Sequence, residues 1–464
     1  MKKFFSVLLV LALVVSLPGV LGGCKKEQKP LRVLVDYIPM GNEVDDSVEF
    51  DFEAFRRELI EVGGPADIEL EIVPPITSGD SAERESKLTR IRTEIMAGQG
   101  PDIFIMAYQS DSFINNKSLF LMPEKSMELG LFYPLDEFIE NAQFMHYDEM
   151  IPQIVAAGRS EEYGQVILPL EYTFCTTFFM KDDVPEPLEP CTWQEQAQSE
   201  VTAYRAAASQ LSVMDELNLS GSLGKIADYK NRKMILTEEE LLEHVTRYVA
   251  LHRAYVQGDL TDLPVCCQTD MKPYFEMDNL SVQQAPPDIY PNSEHIPDLI
   301  FGFTQWAEED EFTMVPMYNT EGGVTATIHS WAAINANCKR GEEAFFVLDY
   351  LFGKYYESTD PTPFGVYSFL AGRGVPVYKD MMRKENPVLT TYASNYHWRM
   401  NDTNFAEFER VRGQINCVRF YDTLDEELFK LYSDAEHILI YNGSGSIEDT
   451  VHEHYTRMKR ELSE

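Results

Sequence analysis

The sequence predicts an α/β protein that opens with a parallel, doubly wound sheet and is long enough for two lobes. Strand-like apolar runs at 31–37 and 68–73 enclose a helix-like segment at 48–62. A second helix and a third strand follow, and this alternating order favours parallel pairing. The chain has 464 residues, and 44% of them are hydrophobic. A chain of this length is too long to fold around one small hydrophobic core, so two lobes are expected.

The early elements each have a distinct pattern. Phe52, Phe55 and Leu59 share one face of the helix predicted at 48–62. Residues 68–73 alternate apolar and acidic side chains, which is typical of a strand with one buried face. These patterns together predict a strand–helix–strand start.

The next helix feeds the third strand through a tight turn. Leu88, Ile91 and Ile95 recur at helical spacing, and Gly98 is the predicted stop of the helix. A Gly-Pro turn then leads to an apolar run at 102–107, which is typical of a buried parallel strand.

The residues directly after this strand are the first candidates for ligand contact. Tyr108 and Gln109 fall at its carboxyl end, and open α/β sheets bind ligands in the crevice outside that edge. We therefore expect this segment to form one wall of a ligand cleft. Asp102, at the start of the strand, is expected to be a structural turn residue.

The first 24 residues indicate export and lipid anchoring. A basic start precedes an apolar stretch at 4–15, which is too short for a stable membrane span and suits a signal peptide. Residues 21–24 read LGGC, which resembles a bacterial lipobox. We expect a signal peptide at 1–23, acylation of Cys24 and a flexible tether at 24–30.

These features predict a location at the extracytoplasmic face of a bacterial membrane, held there by lipid chains. The alternative is an ordinary signal peptide with a chance cysteine at its end.

Charge and cysteine usage bound the possible partners. The formal net charge of -37 repels phosphate backbones and anionic lipid, so nucleic acid is excluded and membrane contact is expected through the anchor alone.

The cysteines beyond Cys24 show no C-x-x-C spacing, which argues against a zinc site or a redox motif. We expect no metal, no cofactor and mostly buried free thiols. These cysteines are Cys175, Cys191, Cys266, Cys267, Cys338 and Cys417.

Enzyme motifs are missing from the sequence. It contains no G-x-S-x-G, no H-E-x-x-H, no Walker-type loop and no G-x-G-x-x-G after a strand. A glycosidase needs two positioned carboxylates, and 76 Asp and Glu residues leave that alternative open. The expectation is a protein that binds rather than catalyses.

Several segments, in order along the chain, resemble the extracellular solute-binding proteins of carbohydrate ABC importers, the family that includes maltose-binding protein. The run EIMAGQGPDIFIM resembles the helix, turn and strand of that family. Met180 departs from the Asn usual in the family, and the resemblance is thin over 260–311. The further matching segments are 133–139, 164–184, Thr192–Trp193, 312–318, 325–337, 374–379 and 427–464.

The resemblance implies a two-lobed periplasmic-binding-protein-like fold whose chain crosses a hinge several times. It places lobe 1 at 31–170 and 331–378, and lobe 2 at 171–330 and 379–464.

The resemblance also implies where a solute would bind. Sugars need flat aromatic rings for stacking and polar side chains for their hydroxyls. Ligand contact is therefore expected at the ends of the strands on which the chain crosses between the lobes. For the aromatic residues, the alternative is packing in the protein interior. For Arg373, the alternative is a structural salt bridge. The expected ligand-binding residues are Tyr108, Gln109, Glu171, Tyr172, Tyr318, Trp331 and Arg373. For Trp193, packing is favoured over ligand contact.

The expected function is the lipid-anchored receptor of an ABC importer, a monomer that captures a sugar or oligosaccharide and delivers it to membrane permease subunits. Two alternatives stay open: a surface lipoprotein for adhesion or scaffolding, and an importer receptor for a peptide, polyamine or other non-sugar solute.

Overall fold

The structure is a computed structural model. The residues that it describes are 29–36, 47–74, 81–106, 118–180, 184, 189–209, 216–257, 312–357, 374–381, 402–441 and 443–464. Cys24, Tyr108, Gln109 and Arg373 lie outside the described residues, as do Cys266 and Cys267 and the thinly matched 260–311 segment.

The described strands are short apart from two that run through the centre of the fold. In chain order they are β1 (Leu31–Asp36), β2 (Ile68–Ile72), β3 (Ile103–Met106), β4 (Arg159–Ser160), β5 (Gly164–Gln165), β6 (Ile167–Phe174), β7 (Thr176–Met180), β8 (Ala227–Asp228), β9 (Lys233–Met234), β10 (Phe312–Pro316), β11 (Val324–Ile334), β12 (Val375–Pro376) and β13 (Ile415–Phe420).

Helices cover the sheet and build the rest of the molecule. In chain order they are α1 (Ser47–Glu61), α2 (Ser81–Met96), α3 (Pro123–Glu128), α4 (Asp136–Ile139), α5 (Pro152–Val155), α6 (Trp193–Ala197), α7 (Thr202–Ser209), α8 (Glu216–Leu223), α9 (Glu238–Gln257), α10 (Gly341–Glu357), α11 (Asp402–Arg412), α12 (Thr423–Leu439) and α13 (Ile447–Ser463). Among the described helices, none is both long enough and apolar enough to cross a membrane.

The main sheet has seven strands in the order β12-β6-β11-β3-β1-β2, and β13 pairs with β11. Strand β1 is parallel to both β2 and β3, which confirms the parallel start predicted from the alternating elements. Strand β11 is antiparallel to β3 and β6 but parallel to β13. Four apolar residues of β1 are completely buried, because both faces of a parallel sheet are covered.

Two hydrophobic cores organise the described chain. The first core surrounds the main sheet and includes Val33, Ile105 and Ala332. The second core surrounds helices α6, α9, α12 and α13 and includes Trp193 and Leu428. The polypeptide passes from the first core to the second at the end of β6, where adjacent residues belong to different cores.

The turn before β3 has the structure that its sequence predicted. Gly98 and Gly100 adopt positive φ angles of 72° and 106°, a conformation that glycine reaches without a steric penalty. The carboxylate of Asp102 accepts a hydrogen bond from the backbone N–H of Arg32 at 3.0 Å. The Asn335 side chain donates to the backbone oxygen of Pro101 at 2.9 Å, so Asp102 is a structural turn residue as expected.

Polar side chains cap two of the long helices. Ser446 caps α13 by accepting the N–H of Asp449 at 3.2 Å. Thr237 and Glu240 form a capping box ahead of α9, with a bond of 2.8 Å from the Thr237 N–H to the carboxylate.

One stretch with a helical sequence pattern is interrupted. The pattern extends over 195–219, but the chain forms three helices there, α6, α7 and α8. Between α6 and α7, the Ser199 hydroxyl accepts the N–H of Val201 at 3.1 Å. Such a side-chain bond offers the backbone an alternative to the helical ladder, so the helix stops.

His244 of α9 is buried rather than solvated. Its Nε2 lies 2.8 Å from the Ser222 hydroxyl, and its ring centroid lies 4.3 Å from that of Trp193. Burial, with Arg247 adding to it, lowers the pKa of His244 to about 3. Trp193 is itself completely buried and donates to the backbone oxygen of Ala208 at 3.0 Å, which confirms packing.

The four cysteines that the structure describes are free thiols, as predicted. Cys175, Cys338 and Cys417 are buried, and Cys191 is partly exposed.

Candidate functional site

One row of paired residues crosses the main sheet at the carboxyl edge of its parallel strands. Asp36 at the end of β1 pairs with Met106 at the end of β3, and Met106 pairs with Trp331 of β11. On the other side of β11, Ser330 pairs with Glu171 of β6, and Glu171 pairs with Pro376 of β12. We call these residues the edge row: Asp36, Met106, Trp331, Ser330, Glu171 and Pro376.

The edge row marks the place where strands leave the sheet. The carboxyl ends of β1 and β3 meet here, and this edge of an open α/β sheet is where ligands bind. Strand β6 continues past Glu171 toward the second core, and β11 arrives from the side of β13. The pairing of β6 with β11 shifts register between Ser330 and Trp331, which is a bulge of the kind that re-aims side chains.

Glu171 connects three elements at the centre of this row. Its side chain is 2% exposed, its Oε1 accepts the Tyr355 hydroxyl of α10 at 3.0 Å, and its Oε2 accepts the Ser330 hydroxyl at 3.4 Å. Hydrogen bonds of this kind offset the cost of burying a carboxylate. Burial and the adjacent Glu171 carboxylate raise the pKa of Tyr355 well above its ordinary value, so Tyr355 is a permanent donor.

Asp36, at the opposite end of the row, is held by Arg84 of α2. The two guanidinium nitrogens donate to its two carboxylate oxygens at 2.7 and 2.9 Å, and the residues are 1% and 6% exposed. Arg84 also donates to the backbone oxygen of Pro74 at 3.2 Å. A bidentate pair fixes both partners, so Asp36 anchors the end of β1 to α2.

Trp331 packs within an aromatic cluster that also contains Phe420 at the end of β13. Its ring centroid lies 5.6 Å from Phe120, 5.7 Å from Phe132 and 6.1 Å from Phe420. The side chain is 1% exposed. These distances are typical of tilted and edge-to-face aromatic pairs, so the indole ties β11 to the end of β13.

Tyr172 is the neighbour of Glu171 on β6, and its side chain is completely buried. Burial raises the pKa of Tyr172 far above its ordinary value, and the adjacent Arg412 opposes this effect. Within the described part of the chain, the hydroxyl has no hydrogen bond of good geometry.

Tyr318 lies at a different place in the fold. Its hydroxyl donates to Gln414 Oε1 at 3.1 Å, and its backbone N–H donates to Gln196 Oε1 at 3.0 Å. It forms a bridge with Val324 at the start of β11. At about 3.3 Å per residue, that end of the strand is roughly 23 Å from Trp331.

The structure thus brings together three of the sequence-predicted residues, Glu171, Tyr172 and Trp331, and places Tyr318 at the far end of β11. All four side chains are buried against protein atoms, and their contact with a ligand stays a prediction. Tyr108, Gln109 and Arg373 lie outside the described residues, although Tyr108 follows the edge-row residue Met106 by two positions.

Sequence reasoning missed Tyr355 and the Asp36–Arg84 pair. The pattern offered a partial indication of Tyr355, because it follows Leu351 by four positions on the buried face of α10. No local pattern identifies its partner 184 positions away. In the described part of the chain, no group of three or more His, Cys, Asp or Glu side chains is arranged to hold a metal ion.

Comparison with known proteins supports the fold. No family model matches the chain, and no curated protein matches its sequence. Solved structures do match. An extracellular solute-binding protein family 1 member from Alicyclobacillus acidocaldarius is 13% identical, with a TM-score of 0.51 over 94% of this chain and 100% of that one.

Two further solved structures have similar values. A periplasmic oligogalacturonide binding protein from Yersinia enterocolitica is 15% identical, with a TM-score of 0.51 over 94% of this chain and 99% of that one. The sugar-binding protein MalE from Xanthomonas citri is 10% identical, with a TM-score of 0.52 over 94% and 98%. The chain therefore has the two-lobed α/β fold of the extracellular solute-binding proteins, as its sequence resemblance predicted.

Proposed function

We propose that this protein is the solute-binding component of an ABC importer and that it captures a sugar or oligosaccharide in a cleft between two lobes. The observation that carries this proposal is the edge row. There β6, β11 and β12 lie side by side, and β6 continues from the core of the main sheet into the second core.

Neighbouring strands that link two cores side by side form a hinge. Backbone rotation in these strands moves one core relative to the other without changing the packing inside either core. The proposed lobes are 31–170 with 331–378, and 171–330 with 379–464. A solute in the cleft favours the closed form because it contacts both lobes only in that form. Glu171, bonded to Ser330 and Tyr355, stabilises the hinge in the arrangement described here.

Most of the proposed binding residues lie in or beside the edge row, and Tyr318 lies at the far end of β11. Tyr108 and Gln109 continue the chain beyond Met106, within about 10 Å of the row even if fully extended. Arg373 directly precedes the described segment that contains β12. Together with Glu171, Tyr172, Trp331 and Tyr318, they are the flat rings and hydrogen-bonding groups that we propose for sugar recognition.

A carbohydrate is the favoured solute because two proteins with this fold bind carbohydrates by name: one is an oligogalacturonide binding protein and the other is a sugar-binding protein. We further propose that the protein is a monomer without catalytic activity and that it is anchored through Cys24 at the extracytoplasmic face of the membrane. It delivers its solute to permease subunits encoded elsewhere.

Isothermal titration calorimetry of the purified protein with a panel of solutes tests this proposal. The panel contains monosaccharides, neutral oligosaccharides and oligogalacturonides, with a tripeptide and a polyamine as non-sugar members. We expect saturable one-to-one binding for one carbohydrate class. Binding of the peptide or polyamine alone would overturn the carbohydrate assignment, and no binding across the panel together with capture of a macromolecule would favour adhesion or scaffolding.

A further inference from the structure

Two surface turns meet where the two hydrophobic cores adjoin. One is the turn between β4 and β5, where Tyr163 packs against the first core. The other is the turn between β8 and β9, which begins at Tyr229 of the second core. The boundary between the cores runs along α3, since Met127 lies in the first core and Met122, directly before the helix, lies in the second. A contact between the two turns therefore joins the cores.

An ion pair makes this contact. Lys230 of the β8–β9 turn pairs with Glu161 of the β4–β5 turn. Their hydrogen bond lowers the pKa of Glu161 and raises the pKa of Lys230, and the more distant Glu128 and Glu162 raise the pKa of Lys230 further. Three carboxylates thus lie near one ammonium group. We call Lys230, Glu161, Glu128 and Glu162 the turn cluster.

The charge of the β8–β9 hairpin is unusual for this protein. Residues 225–233 contain four basic side chains and one acidic side chain, whereas the whole chain has 39 basic and 76 acidic residues. A positive hairpin in a strongly negative protein has a preferred place, beside the acidic side chains of the opposite turn and of α3. The basic residues of the hairpin are Lys225, Lys230, Arg232 and Lys233.

The shape of the β8–β9 turn does not depend on the ion pair. The Asp228 carboxylate accepts the backbone N–H of Asn231 at 3.0 Å and its side-chain amide at 2.7 Å, which is a common way of fixing a turn. The N–H of Arg232 also donates to the backbone oxygen of Tyr229 at 3.3 Å. Lys230 is therefore presented by a preformed turn, and its side chain can be changed without unfolding the hairpin.

The exposure of the pair decides what it can do. The side chains of Lys230 and Glu161 are 48% and 77% exposed, so the pair adds little to the stability of the fold and is screened by salt. No residue of the turn cluster belongs to the edge row, so rotation at the edge row moves one turn relative to the other. A weak contact of this kind can still shift the balance between two arrangements of similar free energy.

We propose that the turn cluster is an electrostatic latch between the two lobes, which favours the arrangement described here at low ionic strength and is released as salt rises. This inference rests on the hinge of the proposed function. The apparent affinity for a solute depends on the fraction of protein in the binding-competent arrangement, so the latch makes solute capture sensitive to ionic strength.

Single-molecule Förster resonance energy transfer on the solute-free protein tests the latch without any ligand. Dyes on unnatural amino acids replace Glu61 of α1 and Ser433 of α12, which are exposed on helices of the first and the second core. Raising the salt from about 0.01 M to about 1 M shortens the Debye length from about 30 Å to about 3 Å. We expect the ratio of the populations with different transfer efficiencies to change about twofold or more.

Charge reversal locates the effect. At low salt, Lys230→Glu should shift the population ratio as high salt does, and adding Glu161→Lys to it should restore most of the native ratio. Lys459→Glu makes the same charge change at an exposed position of α13 and is the matched control, which should leave the ratio unchanged. Circular dichroism checks that each variant is folded.

The inference is wrong if Lys230→Glu matches the control, or if the reciprocal exchange of charges fails to restore the native ratio. These outcomes are separate from the calorimetry of carbohydrates. Failure of every carbohydrate to bind would overturn the proposed solute and leave the result on the latch standing.

Discussion

Replacing Tyr355 with Phe is predicted to destabilise the protein through the edge row. The substitution removes one hydroxyl, which donates to Glu171 Oε1 at 3.0 Å, and leaves the ring in place. Tyr355 is 2% exposed, so bulk water does not replace the lost donor. The bond from Ser330 at 3.4 Å is longer and weaker.

The magnitude follows from the charge of the acceptor. A hydrogen bond to a charged group contributes about 1.5–3 kcal/mol, and leaving its buried partner less satisfied costs a similar amount. We expect Tyr355→Phe to lower the free energy of unfolding by about 2 kcal/mol. Urea denaturation followed by circular dichroism and by tryptophan fluorescence measures this change, and agreement of the two probes checks that unfolding is cooperative.

Tyr356→Phe is the matched control because it removes the same hydroxyl from the next position of the same helix. Tyr356 is only partly buried, and its ring packs on His146 with centroids 4.4 Å apart. Its loss should stay within about 0.5 kcal/mol, as for most surface substitutions. Equal effects of the two variants would refute the role assigned to the Tyr355–Glu171 bond.

Three further predictions concern the aromatic cluster, the C-terminal helices and the cleft wall. Trp331→Ala should lower the free energy of unfolding by about 3–5 kcal/mol because it leaves a cavity among Phe120, Phe132 and Phe420; a loss below about 1 kcal/mol in urea denaturation would contradict this packing. Burial alone would lower the pKa of His454, but its contacts with Glu427 at 2.8 Å and Asp434 at 3.1 Å outweigh burial and raise it. The contribution of His454 to the stability of the fold is therefore complete below the ordinary pKa of about 6.5 and is lost as pH rises through the raised value. The difference in Tm between the native protein and His454→Gln should therefore shrink from pH 6 to pH 9. A constant difference would refute the assignment. Tyr108→Ala should weaken binding of the solute found by calorimetry by about 1–3 kcal/mol with Tm unchanged, and an unchanged affinity would place the cleft wall elsewhere.

The opening of the fold could be predicted from sequence because its elements are encoded locally. The spacing of apolar residues identified the first strands and helices, and the Gly-Pro turn identified Asp102 as a structural turn residue. The capping residues Thr237 and Ser446 likewise mark helix starts within three positions of their partners. Such features depend only on neighbouring residues, so a single sequence is sufficient.

The edge row could not be predicted, because it depends on contacts between distant segments. Glu171 meets Tyr355 across 184 positions, and Arg84 meets Asp36 across 48. The sequence suggested Glu171 as a residue of interest on β6 but gave no indication that α10 would supply its donor. The interruption between α6 and α7 was missed for a different reason, since a single serine side chain competed with an otherwise helical pattern.

Small-angle X-ray scattering, with and without the saturating carbohydrate, tests the central claim most directly. If the strands of the edge row form a hinge between two lobes, the bound protein should have a smaller radius of gyration than the free protein, and the change should saturate with the calorimetric affinity. A radius of gyration that stays constant when the carbohydrate occupies its site would contradict closure of a cleft between lobes.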